Sequence, residues 1–205
     1  MDIDGAHEAR NDAGATLGPE GDKSVATRSV LTYADLAATP ADGKRYELLE
    51  GELHVTAAPR PRHQHVVGNL HLLLAEYARR LGLGEVFLAP IDVILSNMTV
   101  LEPDLVYVEA ARLERVSDRG IEGAPTLAIE VLSPSTAAVD RGAKFLISAR
   151  HGVPHYWIVD PEARRIETFR LVGAAYEAGQ RLDGPAPAAL PPFPALPLDP
   201  ASVWR

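Results

Sequence analysis

The first clear period along the chain is helical. Val66, Leu70, Leu73, Leu74, Tyr77 and Leu81 recur at i, i+4, i+7, i+8, i+11 and i+15, and Gly82 follows as a stop. Ahead of this stripe, Arg45–Leu49 and Glu52–Ala57 flank a Glu50-Gly51 turn and predict a hairpin. Thr32 before Tyr33-Ala34-Asp35-Leu36 predicts a capped single turn of helix. Three strands are expected next, over Glu85–Leu95, Leu101–Val108 and Leu127–Leu132. The last is almost continuously apolar, as suits a strand buried on both faces. Ser133-Pro134-Ser135-Thr136 breaks it, and a helix is predicted over Asp140–His151, with Val139, Ala143, Leu146, Ile147 and Arg150 on one stripe. His155–Val159 reads as another buried strand closed by Asp160-Pro161, and Arg165–Leu171 and Ala175–Gln180 as antiparallel edge strands. The order α-β-β-β-α-β, preceded by a hairpin, predicts helices on a mixed sheet: an α/β (α+β) domain.

The two ends do not share this patterning. Residues 1–28 show no hydrophobic period and are rich in Gly, Ala, Asp and Glu, so a disordered leader is expected there. Residues 29–183 carry the domain. Residues 184–205 form a proline-rich run that cannot be helix interior or central strand, and an extended tail over the domain is expected, held by Val203 and Trp204.

Composition narrows the chemistry. The chain has no cysteine, so disulfides, thiolate metal sites and thiol nucleophiles are excluded. A metal would have to be held by carboxylates, histidines or main-chain oxygen. No apolar stretch approaches the roughly 20 residues that span a bilayer, and the acidic start is unlike a signal peptide. A soluble, cytoplasmic protein with no membrane association is expected. The formal charge of −8 argues against a general nucleic-acid coat. It remains compatible with a nuclease whose carboxylates are neutralised by bound metal.

Three residues stand out. Glu130 lies inside Leu127-Ala128-Ile129-Glu130-Val131-Leu132, where a carboxylate is costly unless it is paired or binds a metal; the plainer reading is a strand-end acid that salt-bridges an arginine. Asp104 follows Glu102-Pro103 and opens the apolar run Leu105–Val108, so that two acids on consecutive strands can lie at neighbouring points of one sheet. A turn-capping Asp is the plainer alternative. Two carboxylates with a main-chain carbonyl and water are the hard oxygen donors that Mg²⁺ takes. Lys144 alone reads as a solvent ion pair with Asp140 at i, i+4; near the acids it could instead orient water and offset charge growing on phosphorus. Glu52, His63 and Asp92 are lesser candidates, with a surface acid, a capping or packing imidazole and a structural hydrogen-bonder as their ordinary roles. Ser133 and Ser135 have no histidine at nucleophile spacing, which excludes a serine hydrolase.

Several stretches resemble the Uma-two family of restriction-endonuclease-like proteins, within the PD-(D/E)xK nuclease superfamily. They are Tyr46–Leu53, Pro61–Val67, Glu102-Pro103-Asp104-Leu105, Ile129–Thr136 followed by Asp140-Arg141-Gly142-Ala143-Lys144, and Gly152–Pro161. The resemblance spans about Thr32 to Val172. It implies a restriction-endonuclease-like core and a divalent-metal-dependent endonuclease acting on phosphodiester bonds, with DNA as substrate and Mg²⁺ or Mn²⁺ as cofactor. It also implies that Asp104 and Glu130 ligate the metal, with the Val131 carbonyl beside them. The superfamily lysine normally sits two residues after the acid, a place held here by Leu132, and the resemblance assigns its role to Lys144 on the following helix. The rival expectation is a catalytically silent nuclease fold that binds a protein partner or forms a homodimer.

Overall fold

The computed structural model describes residues 29–205 and divides the strands between two sheets. The expected leader, residues 1–28, lies outside the described residues. The first helical turn, α1 (Tyr33–Ala37), is closed by Thr32, whose N–H and hydroxyl both donate to Asp35 Oδ2 at 2.8 and 2.7 Å. β1 (Arg45–Leu49) and β2 (Glu52–Thr56) make the predicted hairpin. Its two turn residues, Glu50 and Gly51, both have positive φ, the conformation whose twist suits a two-residue hairpin. α2 (Pro61–Leu81) starts with proline, where the missing N–H costs nothing, and ends at left-handed Gly82.

The remaining elements follow in order. They are β3 (Gly84–Leu88), β4 (Val93–Ser96), β5 (Thr99–Leu101), β6 (Leu105–Glu109), a 3₁₀ turn (Ala110–Arg115), β7 (Val116–Ser117), β8 (Gly120–Glu122) and β9 (Leu127–Val131). Then come α3 (Ala137–Arg141), α4 (Ala143–Arg150), β10 (His155–Asp160), β11 (Arg165–Val172), β12 (Ala175–Leu182), β13 (Ala188–Ala189), β14 (Pro197–Leu198) and α5 (Pro200–Val203). None of the described helices is long and apolar enough to cross a membrane.

The structure divides three elements that sequence patterning reads as continuous. The expected strand Glu85–Leu95 is interrupted between β3 and β4, where Pro90 has no N–H to give a ladder. The expected strand Leu101–Val108 is interrupted between β5 and β6 by Glu102-Pro103-Asp104. The expected helix Asp140–His151 is two helices that meet at Gly142, whose backbone (φ −112°, ψ −97°) is not helical. A side chain there would press on the Ala138 carbonyl, 2.8 Å from the position of its Cβ.

These breaks have one consequence. β3 and β6 pair in a sheet ordered β12-β11-β10-β9-β6-β3, whereas β4 and β5 pair in a sheet ordered β2-β1-β5-β4-β8-β7. At each of the two strand breaks the chain crosses from one sheet to the other, at Ala89–Asp92 and at Glu102–Asp104, and the Ala89 N–H donates to the Asp104 carbonyl at 3.1 Å. In the first-named sheet β9 and β10 run parallel and the other neighbours antiparallel, which is the mixed sheet expected.

Alternation along β9 sends Leu127, Ile129 and Val131 to one face, where Leu70 and Leu74 of α2 cover them. Ala128 shares the other face with Tyr156 and Phe145 of α4. The proline-rich segment packs on the α2 side. Leu190, Phe193, Leu198 and Val203 join that core, and Pro191 accepts a 2.7 Å hydrogen bond from Trp157 Nε1. Phe193 meets the rings of Tyr77, Tyr107 and Trp157.

Because Phe193 is 2% exposed at the centre of that aromatic group, Phe193→Ala is expected to lower stability by about 3–5 kcal/mol. Urea denaturation measures this; a loss below about 1 kcal/mol would mean that the segment only drapes over the domain.

Candidate functional site

The register of β6 and β9 explains why two acids separated by 25 intervening residues come together. Leu105 pairs with Ile129 in the antiparallel ladder, so the residue before the first lies beside the residue after the second. Those residues are Asp104 and Glu130. Asp104 sits where the chain leaves one sheet for the other, and its Oδ2 accepts the Val131 N–H at 2.9 Å. Three sequence candidates, Asp104, Glu130 and Val131, are thus adjoining parts of one surface inside the fold.

Lys144 enters from α4. The break at Gly142 turns this helix so that Lys144 points into the protein, where it is only 2% exposed. Its Nζ lies 2.7 Å from Glu130 Oε1, 2.9 Å from Glu47 Oε1 and 3.7 Å from Asp140 Oδ1. The i, i+4 pair with Asp140 that would ordinarily lie in solvent is therefore buried. Asp104, Glu130 and Lys144 form one electrostatic group, since the Lys144 charge favours ionisation of both acids.

His63, a lesser sequence candidate, also belongs to this group. It lies in the first turn of α2, 6% exposed, with Nε2 3.1 Å from Asp104 Oδ2. Glu52 and Asp92 stand elsewhere. Glu52 is exposed at the start of β2 beside a surface hollow lined by Val30 and Gly51. Asp92 is half-buried at the edge of the group, where burial raises its carboxyl and a hydrogen bond with Tyr33 opposes this; its charge reaches Glu102.

Four further residues complete the group without having been singled out as site residues in the sequence. Arg45 Nη1 donates to Asp104 Oδ1 at 2.7 Å. Glu47, two positions along β1 on the same face, accepts the Glu102 N–H at 2.7 Å as well as facing Lys144. Glu102 and Asp140 are both buried. The available signal was the stretch Arg45–Glu52, in which Glu47 stands between Tyr46 and Leu48, but alternation of that kind ordinarily marks a solvent face.

The charges in this interior do not balance. Five buried acids, Glu47, Glu102, Asp104, Glu130 and Asp140, face two permanent cations, Lys144 and the nearly buried Arg45. Burial pushes the Glu102 carboxyl up to about 7, helped by the charges of Glu47 and Asp92. Burial likewise raises Glu130 well above the carboxylate range, against the attraction of Lys144, and raises Asp140. Asp104 is the exception: burial pushes it upward, but His63 and Arg45 outweigh that and hold it below the ordinary value. Burial would depress the Lys144 ammonium, yet the charges of Glu130, Glu47 and Asp140 hold it well above the usual lysine value. Its neighbours thus favour the charged form of Lys144.

A divalent cation suits this donor set in two respects. Every candidate donor is hard oxygen, and a bound cation would favour the ionised form of the carboxyls that burial raises. Among the described residues no three His, Asp or Glu side chains are gathered into a ready-made metal cage. Arg45 and Lys144 occupy the near side of Asp104 and Glu130 instead. The group borders two cavities. One of about 230 Å³ is lined by Arg45, Glu47, His54, Asp140 and Lys144; the other, of about 520 Å³, is lined by His63, Leu132 and Ser133. A hollow of about 670 Å³ at the far end of α2 contains none of these residues.

Comparison with known proteins agrees with this architecture. The Uma2 family model, described as "Putative restriction endonuclease", matches residues 32–201. The fold is similar to that in a crystal structure described as "a putative nuclease belonging to DUF820 from Anabaena variabilis ATCC 29413". The TM-score is 0.70 at 20% identity, over 85% of this chain and 97% of that one. No curated protein matches the chain.

Removing one side of a buried ion pair leaves a bare charge inside. Lys144→Met is therefore expected to cost about 3–5 kcal/mol, whereas combining it with Glu130→Gln restores much of that loss. Urea denaturation of the two single variants and the double variant measures the coupling; costs that simply add would show that the pair is not coupled.

Proposed function

The chain belongs to the Uma2 family, and on that premise we propose that it is a divalent-metal-dependent endonuclease that hydrolyses phosphodiester bonds in DNA. The observation that carries this reading is the excess of buried carboxylate around Lys144 and Arg45. Asp104, Glu130 and the Val131 carbonyl would hold the metal, Mg²⁺ or Mn²⁺. When bound, such a metal supplies Lewis acidity to the phosphate and makes water more acidic.

The chain's own residues do the rest. Lys144, held protonated by its carboxylate partners, sets a positive charge beside Glu130 and offsets the negative charge that grows on phosphorus. His63 and Arg45 keep Asp104 ionised and fixed in direction. The buried surroundings exclude bulk water, so each of these charges acts more strongly than it would at a surface. Residues 29–183 form the catalytic domain, and the segment 184–205 braces it. The reading includes a cytoplasmic location, where such a substrate is at hand.

A second reading rests on one observation: Arg45 and Lys144 already pair with Asp104 and Glu130. On that reading the fold is catalytically silent and serves as a binding or regulatory homodimer.

Plasmid cleavage with Mg²⁺ or Mn²⁺ separates the two. The native chain is expected to cut, and Asp104→Ala and Glu130→Ala to lose on the order of 10²-fold or more. A metal-induced rise in melting temperature is expected for the native chain and not for Asp104→Asn. Equal cleavage by the native chain and both alanine variants would remove the proposed site; no cleavage and no metal-induced rise would favour the silent fold.

A further inference from the structure

The cavity of about 520 Å³ beside Asp104 has two kinds of wall. Leu132, Pro134 and Pro161 supply apolar wall, and Arg60, Ser133 and the His63 ring supply polar groups, while the lining acids Asp160 and Glu162 are engaged by the Glu162 and Ala163 N–H groups and by Arg62. His63 is 94% buried by the complement of its 6% exposure, and its Nδ1 has no hydrogen-bond partner. Its Nε2 is already committed to Asp104. Buried polar atoms are seldom left unpaired without a reason, and a ligand group is one of the reasons. Arg60 is exposed at the start of α2 and makes no ion pair among the described residues. Its neighbour Arg62 is held by Glu162 at 2.8 Å and by the Pro161 carbonyl at 2.6 Å, which leaves Arg60 as the cation available to a phosphate.

We propose that this cavity receives the nucleotide next to the phosphate handled at Asp104 and Glu130, and that it receives it unpaired, so that the substrate is single-stranded DNA or a strand with an unpaired nucleotide at the cut. The inference rests on the nuclease reading above. An apolar wall takes up the face of a base, and faces are covered by stacking in a duplex; a nucleotide that fills this cavity has left the stack. The reacting side chains are 1–4% exposed, so a phosphate must be drawn inward to them. A stiff duplex bends at a cost, whereas a single strand does not have to. Charge points the same way. Duplex binding draws on many phosphate contacts, and a chain of net charge −8 with one uncommitted arginine on this lip offers few.

The test is fluorescence anisotropy of one labelled oligodeoxynucleotide, as a single strand and annealed as a blunt duplex, with the full native chain in Ca²⁺. Single-strand binding about tenfold tighter than duplex binding is expected. Ala137→Phe, which adds a ring at the cavity wall and leaves Asp104, Glu130 and Lys144 unaltered in sequence, is expected to erase that preference. Arg60→Ala, an exposed change that spares the fold, is expected to lower the slope of log K against log salt by about 0.7. Equal or tighter binding of the duplex overturns the proposal, as does an unchanged preference in both variants. Because binding is read without cleavage, a preserved single-strand preference in a chain that cuts nothing overturns the nuclease reading alone. Blunt duplex cut as fast as single strand overturns this inference and leaves the nuclease reading standing.

Discussion

Lys144 Nζ is surrounded by carboxylate oxygens from three different elements, and the middle of the structure is arranged around the need to keep them there. Glu47 comes from β1, Glu130 from β9 and Asp140 from α3. An ammonium that is 2% exposed is tolerable only if those oxygens are in place. Each element must therefore hold its position to within a few tenths of an ångström. The two sheets meet at this point for the same reason: β1 belongs to one and β9 to the other, and Lys144 joins them through their carboxylates. Arg45 repeats the arrangement by linking β1 to Asp104 at the head of β6. Two cations thus tie the sheets together where no backbone ladder runs between them.

The crossing of the chain between sheets supplies the acids. Glu102-Pro103-Asp104 is neither the end of β5 nor the start of β6, and its backbone is free to turn because Pro103 belongs to no ladder. That turn places Glu102 against Glu47 and Asp104 against Arg45, His63 and Val131. A continuous strand through these positions would alternate its side chains and send Glu102 and Asp104 to the same face of one sheet. The interrupted strand gives them different partners, which is why the carboxyl of Glu102 is raised while that of Asp104 is held low.

Much of this was legible in the residues. Acids within apolar runs mark Glu130 and Asp104, because burial makes an unpaired carboxylate costly. The helical stripe of α2 and the β1–β2 hairpin follow from period and turn chemistry alone. Lys144 was legible through family resemblance; its own surroundings suggested only a solvent pair with Asp140. Glu47 and Arg45 were hidden for a definite reason. Alternation says which residues share a face, not which face is wet, and in β1 both faces are covered: Leu48 packs with Leu36 and Val100 while Glu47 faces Lys144. The change of sheet at Pro90 and Pro103 left the period of two undisturbed on either side, so each pair of strands read as one. Proline likewise told that residues 184–200 form no long helix, but not that Phe193 would be buried among aromatic rings.

The energetics bear on which functional reading is the more economical. Burying an ion costs several kcal/mol even after the surroundings relax, and replacing a buried ion pair by apolar residues of similar size is often neutral or stabilising by about 1–4 kcal/mol. The interior here carries five acids against two permanent cations. A domain that served only as a scaffold could reach the same packing with leucine at Glu130 and methionine at Lys144 and gain stability. Glu47 faces Lys144 and the Glu102 N–H, and Asp140 faces Lys144 and Thr136. Groups that strain a fold in this way cluster where they perform chemistry, because shifted ionisation and unmet charge are what a reacting ligand exploits. The cost is also confined: it lies at the junction of the two sheets, beside two cavities, and touches α2 and α4 only near their N-terminal ends, at His63 and Lys144. Unfavourable charge gathered at one junction beside two cavities is the arrangement that a bound cation would relieve, and this favours the reading in which the site takes a ligand.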